Sequence, residues 1–130
     1  MARPKARHPT NSELAILQVM WRHGPMTVRE VHDEVAAESG VSYTTVLKTM
    51  QIMLEKGLLA RDPSKRQHIY RARVTQKKTQ LQILRDVLDK AFEGSVAKLV
   101  LGAIQSKATT AEELKEIQKI VEDHANEFDM

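Results

Sequence analysis

A mainly α-helical fold with one short β-hairpin is what the sequence predicts, and three observations predict it. Apolar residues recur at helical spacing through most of the 130 residues. One stretch only, residues 58–74, changes to an every-second-residue pattern. Between the periodic segments stand Thr-x-x-Glu pairs, glycines and prolines, the residues that open and close helices.

Taken in order, residues 1–9 (MARPKARHP) are basic and have nothing to bury, so they read as a flexible basic arm. Thr10 and Glu13 form a capping-box pattern at the start of a first helix. Leu14, Leu17, Met20 and Trp21 supply its apolar stripe, and Gly24-Pro25 ends it. Thr27 and Glu30 repeat the capping pattern, with Val28, Val31 and Val35 lining a second helix that turns at Glu38-Ser39-Gly40. The third helix is the stretch VSYTTVLKTMQIMLEKG, residues 41–57. At about 100° per residue, Val46, Met50, Met53 and Leu54 fall on one side and Thr44, Thr45, Lys48 and Gln51 on the other. Ser42 is placed to cap it and Gly57 to stop it.

After Gly57, Leu58-Leu59-Ala60-Arg61 and the alternation of Tyr70, Ala72 and Val74 with Ile69, Arg71 and Arg73 predict two short strands joined through Pro63-Ser64-Lys65-Arg66. Residues 75–124 return to helical spacing. Thr75 caps a long helix with Leu81, Leu84, Val87, Leu88, Ala91 and Phe92 on one face, and Gly94-Ser95 breaks it. Val96, Leu99, Val100, Ala103 and Ile104 mark a short apolar helix; Thr110 and Glu113 open a last one with Leu114, Ile117, Ile120 and Val121.

Composition narrows the function. The chain has no cysteine, so disulfides and Cys-based metal sites are excluded. Its five histidines (8, 23, 32, 68 and 124) show no ligand spacing, and no nucleophile motif, phosphate loop or carboxylate pair stands out. The expectation is a non-enzyme with no catalytic residue, metal or cofactor. The longest nearly apolar run, Val96–Ile104, is too short to insert into a membrane and no hydrophobic signal region opens the chain, so a soluble cytoplasmic protein is expected. Net charge is +3, but residues 1–74 hold twelve Lys/Arg against seven Asp/Glu, and residues 75–130 hold eight against ten. The basic part alone is expected to meet a polyanion.

Three helices followed by a basic hairpin make a winged helix-turn-helix. Thr, Lys and Gln on the outer face of the third helix suit base edges and phosphates. Five basic residues between Arg61 and Arg73, against Asp62, suit a wing lying on phosphates. The division expected is a basic arm 1–9, a winged helix-turn-helix DNA-binding domain 10–74, a three-helix dimerisation domain 75–124 and a tail 125–130. A three-helix piece this small is near the size at which a lone core is marginal, and its apolar faces exceed what three short helices need among themselves. Burial against a second copy answers both. The dimer-forming set read from this pattern is Leu81, Leu84, Leu88, Phe92, Leu99, Val100, Ile104, Leu114, Ile117 and Val121. The competing reading is a winged helix used as a protein-interaction module, its basic wing meeting an acidic partner.

The segments NSELAILQVMW, TVREVHDEV, YTTVLKTMQIMLEKGLL, the hairpin ending IYRARV, SVAKLVLGAI and EELKEIQKIV together resemble the penicillinase-repressor family (BlaI/MecI/CopY type). The likeness runs from about Thr10 to Val121, with Tyr43-Thr44-Thr45-Val46-Leu47, Glu55-Lys56-Gly57 and Leu99-Val100-Leu101 its most specific marks. It implies homodimeric repressors on palindromic double-stranded operators in the bacterial nucleoid. By resemblance Ser42, Thr44, Thr45 and Lys48 carry over as groove-facing residues and Lys65 and Arg66 as wing residues; Tyr43 and Gln51 complete the DNA-binding set expected of the third helix. It also implies a regulatory protease as a partner, cutting between Asn and Phe just after the Leu-Val-Leu run. Here Gly102-Ala103 stands in that place, and that bond is expected not to be the primary cut.

Overall fold

The computed structural model describes residues 9–64 and 66–128. Three helices come first: α1 (Asn11–His23), α2 (Val28–Ser39) and α3 (Tyr43–Lys56). Each begins where a side-chain oxygen can take an orphan backbone N–H. Thr10 Oγ1 accepts from Glu13 N at 3.2 Å while Glu13 Oε1 accepts from Thr10 N at 2.9 Å. Thr27 and Glu30 repeat the exchange at 3.1 and 2.9 Å. Ser42 caps α3 by accepting from Thr45 N at 3.2 Å. Gly57 ends it at φ +84°, left-handed backbone that strains any residue with a Cβ.

The hairpin follows as β1 (Leu59–Asp62) and β2 (Ile69–Ala72), antiparallel, with Leu59 opposite Ala72 and Arg61 opposite Tyr70. A third piece of strand joins them, since Met26 and Tyr70 exchange backbone hydrogen bonds at 2.9 and 2.8 Å. That bridge fixes the base of the wing to the turn between α1 and α2. The described chain is thus mainly α, a winged helix-turn-helix followed by further helices.

The core lies among these elements. Ile16, Leu17, Met20, Val31, Val46, Met50, Met53, Leu59 and Tyr70 are buried there. Each contributes on the order of 1.5–3 kcal/mol on leaving water. The expected stripe of α1 needs correcting: Ile16 and Val19 are buried, whereas Leu14 and Trp21 are only half-buried. A helix packed on α2, α3 and the wing at once buries a wider arc than one face. Trp21 instead uses its polar edge, donating from Nε1 to Val74 O at 2.9 Å. Val74 falls outside the expected strand, which stops at Ala72, because its partner in register is Gly57, the cap of α3; Arg73 N still donates to Leu58 O at 2.9 Å.

Further on come α4 (Gln76–Ala91), α5 (Val96–Gln105), α6 (Ala111–His124) and a 3₁₀ turn, Ala125–Phe128. The chain divides into two compact units, Met1–Leu84 and Arg85–Met130. Within the second, Ser95 caps α5 through Lys98 N at 3.1 Å and Thr110 caps α6 through Glu113 N at 3.0 Å. Glu93 and Gly94, both at positive φ, make the break expected at Gly94-Ser95. Gly102 of α5 lies under the Phe92 ring, so close that a Cβ there would sit 3.2 Å from the ring edge. No residue of α5 or α6 is buried.

Candidate nucleic-acid interface

The helix that carries the expected contact residues is held at both ends. At its C-terminus Lys56 reaches back to α1, donating from Nζ to both carboxylate oxygens of Glu13 at 3.1 and 2.9 Å. The Glu13 side chain is 4% exposed and that of Lys56 31%. Burial pushes the Glu13 carboxyl up, but the hydrogen bonds from Lys56 and from the Thr10 backbone outweigh it and hold the group below its ordinary value. At the N-terminus His32 of α2 donates from Nε2 to Val41 O at 3.0 Å, since a carbonyl can only accept. The edge of the same ring meets Tyr43, with centroids 5.7 Å apart.

Between these anchors α3 turns Val46, Met50 and Met53 into the core. Ser42, Tyr43, Thr44, Thr45, Lys48 and Gln51 all lie on the exposed side. Thr44, Lys48 and Gln51 are spaced along one ridge of the helix. Ser42 has a structural task as well: besides capping, its hydroxyl donates to Thr45 Oγ1 at 2.9 Å. Tyr43 keeps 39% of its surface exposed, the rest being covered in part by α2.

On the hairpin, Arg61, Arg66, Arg71 and Arg73 are exposed, and among the described residues none forms an ion pair. Lys65 lies outside the described residues. Exposed guanidinium groups without a carboxylate partner attract a polyanion, since each one that neutralises a phosphate releases a condensed counterion. Sequence reading missed Glu13–Lys56 and His32–Val41. The one available signal was Lys56 itself, prominent in the Glu55-Lys56-Gly57 mark but without a partner in view.

Among the described residues no cluster of His, Asp and Glu could hold a metal ion, and no helix is long and apolar enough to cross a membrane. Of the expected dimer-forming residues, Leu81, Leu84, Val100, Ile104 and Val121 are exposed, while Leu88, Phe92, Leu99, Leu114 and Ile117 are half-buried.

The family model for penicillinase repressors matches residues 9–123, almost the whole chain. The chain belongs to the penicillinase repressor family. The family's members are transcriptional repressors rather than enzymes, and the winged helix is their DNA-binding domain. The penicillinase repressor of Bacillus licheniformis is 23% identical over 117 residues, covering 90% of this chain and 91% of that protein. The transcriptional regulator BlaI of Mycobacterium tuberculosis is 36% identical over 59 residues, covering 45% of this chain and 43% of its own length. Among solved structures, the DNA-binding domain of the repressor BlaI in solution is 22% identical with a TM-score of 0.49, covering 58% of this chain and 90% of that one.

Proposed function

We propose that this family member is a homodimeric repressor of a palindromic operator, acting in the cytoplasm at the bacterial nucleoid. Residues 10–74 form its reading head, and α3 enters the major groove with Ser42, Tyr43, Thr44, Thr45, Lys48 and Gln51 toward the bases and their phosphates. Lys65 and Arg66 of the wing take flanking phosphates. Residues 75–124 join two copies, setting the heads about one helical turn, ~34 Å, apart. The observation that carries the reading is the juxtaposition of an exposed, pinned, polar-faced α3 with arginines that have no carboxylate partner among the described residues.

The dimer rests on a second observation. In the second compact unit Leu101, Ile120 and Val121 stand more than half exposed, and in α4 Leu81 and Leu84 stand about half exposed, large apolar side chains that burial against a second copy would take out of water. Truncation between the heads and the link would lower affinity steeply, because linked heads bind at a high effective concentration of the second for its half-site. A regulatory protease is therefore a suitable releasing partner. Its cut is expected in the segment 105–110 rather than at Gly102-Ala103, where no large side chain is offered to a protease pocket.

Selection from a randomised duplex pool tests the proposal. The expected product is a sequence with twofold symmetry, half-sites about 10 base pairs apart, whose binding weakens steeply with salt. Failure to enrich any duplex, with retention of an acidic protein instead, would overturn it.

A further inference from the structure

We infer that Arg29, on α2, is a further DNA-contacting residue, gripping a backbone phosphate at the N-terminal end of α3 with its guanidinium aimed by the ring of Tyr43. The inference rests on the reading of α3 as the groove helix. Three observations carry it.

The first is where the charge sits. Arg29 Cζ lies 5.3 Å from the centroid of the Tyr43 ring, and Tyr43 is the first residue of α3. The guanidinium therefore stands beside the helix end at which Thr44 and Thr45 are exposed. The second is what the charge does not do. Asp33 is four residues along the same helix, the spacing of a favourable ion pair, yet its Oδ1 is instead 3.8 Å from His32 Nδ1. Glu30 is occupied by its capping exchange with Thr27. Among the described residues Arg29 has no carboxylate partner. The third is that the ring is itself fixed: His32 packs edge-on against it at an interplanar angle of 76°, and His32 is bonded to Val41 O.

A planar cation on an aromatic face keeps its N–H edges free and loses little conformational freedom on binding. Arginine in that state is suited to grip a phosphate with two parallel hydrogen bonds. Arg29 would thus contribute affinity without reading sequence, and Tyr43 is its positioning residue.

The test uses the full chain and the duplex enriched by the selection above, with dissociation constants measured across a salt series. One phosphate contact contributes about 0.9 to the salt slope, so two copies of Arg29→Ala lower it by ~1.8, which at 0.15 M salt is roughly 30-fold weaker binding. Arg29→Lys restores most of the slope, because the charge returns. A purely structural role for Arg29 would lower the melting temperature and leave the slope alone. The proposal is overturned if Arg29→Ala keeps the parental slope, or if Arg29→Lys fails to restore it in a protein that melts normally. Arg66→Ala measured in parallel separates the two levels: a lowered slope there with none at Arg29 sinks the Arg29 contact alone. A parent protein with no salt slope sinks the DNA reading and this contact together.

Discussion

Replacing Lys56 by Met tests how α3 is held. The substitution preserves most of the aliphatic stem and removes the two hydrogen bonds at 3.1 and 2.9 Å to Glu13. Glu13, with a side chain 4% exposed, would keep only Thr10 among its donors. Hydrogen bonds to a charged group contribute about 1.5–3 kcal/mol, and stripping one partner from a fully buried pair costs about 3–5 kcal/mol. Lys56 is 31% exposed, so water reaches this pair and the lower range applies. The expected loss is about 2 kcal/mol, which lowers the melting temperature of a domain this size by roughly 8–16 °C. Glu13→Gln should cost less, about 1 kcal/mol, because the stranded partner is then the wetter one and can swing into solvent. Thermal melts of both variants and of the double mutant measure the coupling between the two positions. The pH profile supplies an independent arm. The carboxyl of Glu13 lies below its unperturbed value of 4.5 in the folded protein, so its contribution is complete above that value and lost as pH falls through the lowered one. In Lys56→Met burial acts with less opposition, the folded-state value rises, and the acid-dependent loss traced to Glu13 should shrink. Identical melting of Lys56→Met and the parent, with the same acid profile, would refute the tie between α1 and α3.

Four further outcomes follow from the same geometry. Lys48→Ala should weaken binding to the selected duplex by ~1–3 kcal/mol and relax its sequence preference, whereas Arg66→Ala should weaken all duplexes alike and reduce the salt slope by about one per head; isotherms across a salt series distinguish them. Leu84→Glu with Leu88→Glu should yield monomers by analytical ultracentrifugation, since unpaired charge in an apolar seam costs several kcal/mol, and an unchanged dimer would refute the assignment. Trp21→Phe removes the bond to Val74 O and should cost about 1 kcal/mol in denaturant melts, with no change in the salt dependence of DNA binding. Mass spectrometry of the repressor from induced cells should show no new C-terminus at Gly102.

What the sequence disclosed and what it hid divide by distance along the chain. The caps at Thr10, Thr27, Ser42 and Thr110 each join residues three apart, so the pattern and the bond are the same fact. The inner face of α3 was legible for the same reason: Val46, Met50 and Met53 follow from helical period alone. Lys56 and Glu13 are 43 residues apart, and Trp21 and Val74 are 53. Neither pairing is written in any local pattern, because a charge or an indole N–H near a helix end has many equally plausible partners before the fold selects one. The bridge from Met26 to the hairpin was hidden differently. Met26 adds a single residue to the ladder, too short for any alternation to register. The outer face of α3 was legible as polar, but not that Tyr43 is partly spent on α2.

The packing of Gly102 beneath Phe92 has a bearing on how such a chain can change over generations. The ring occupies the space in which a side chain at 102 would begin, with 3.2 Å between its edge and the place a Cβ would take. Mutation at 102 therefore has a different effect according to what stands at 92. A side chain at 102 asks the ring at 92 to give by a few tenths of an ångström, so whether that ring can shift decides whether the change is tolerated. Grafting Asn into 102 alone would consequently test the tolerance of the helix pair before it tested any protease.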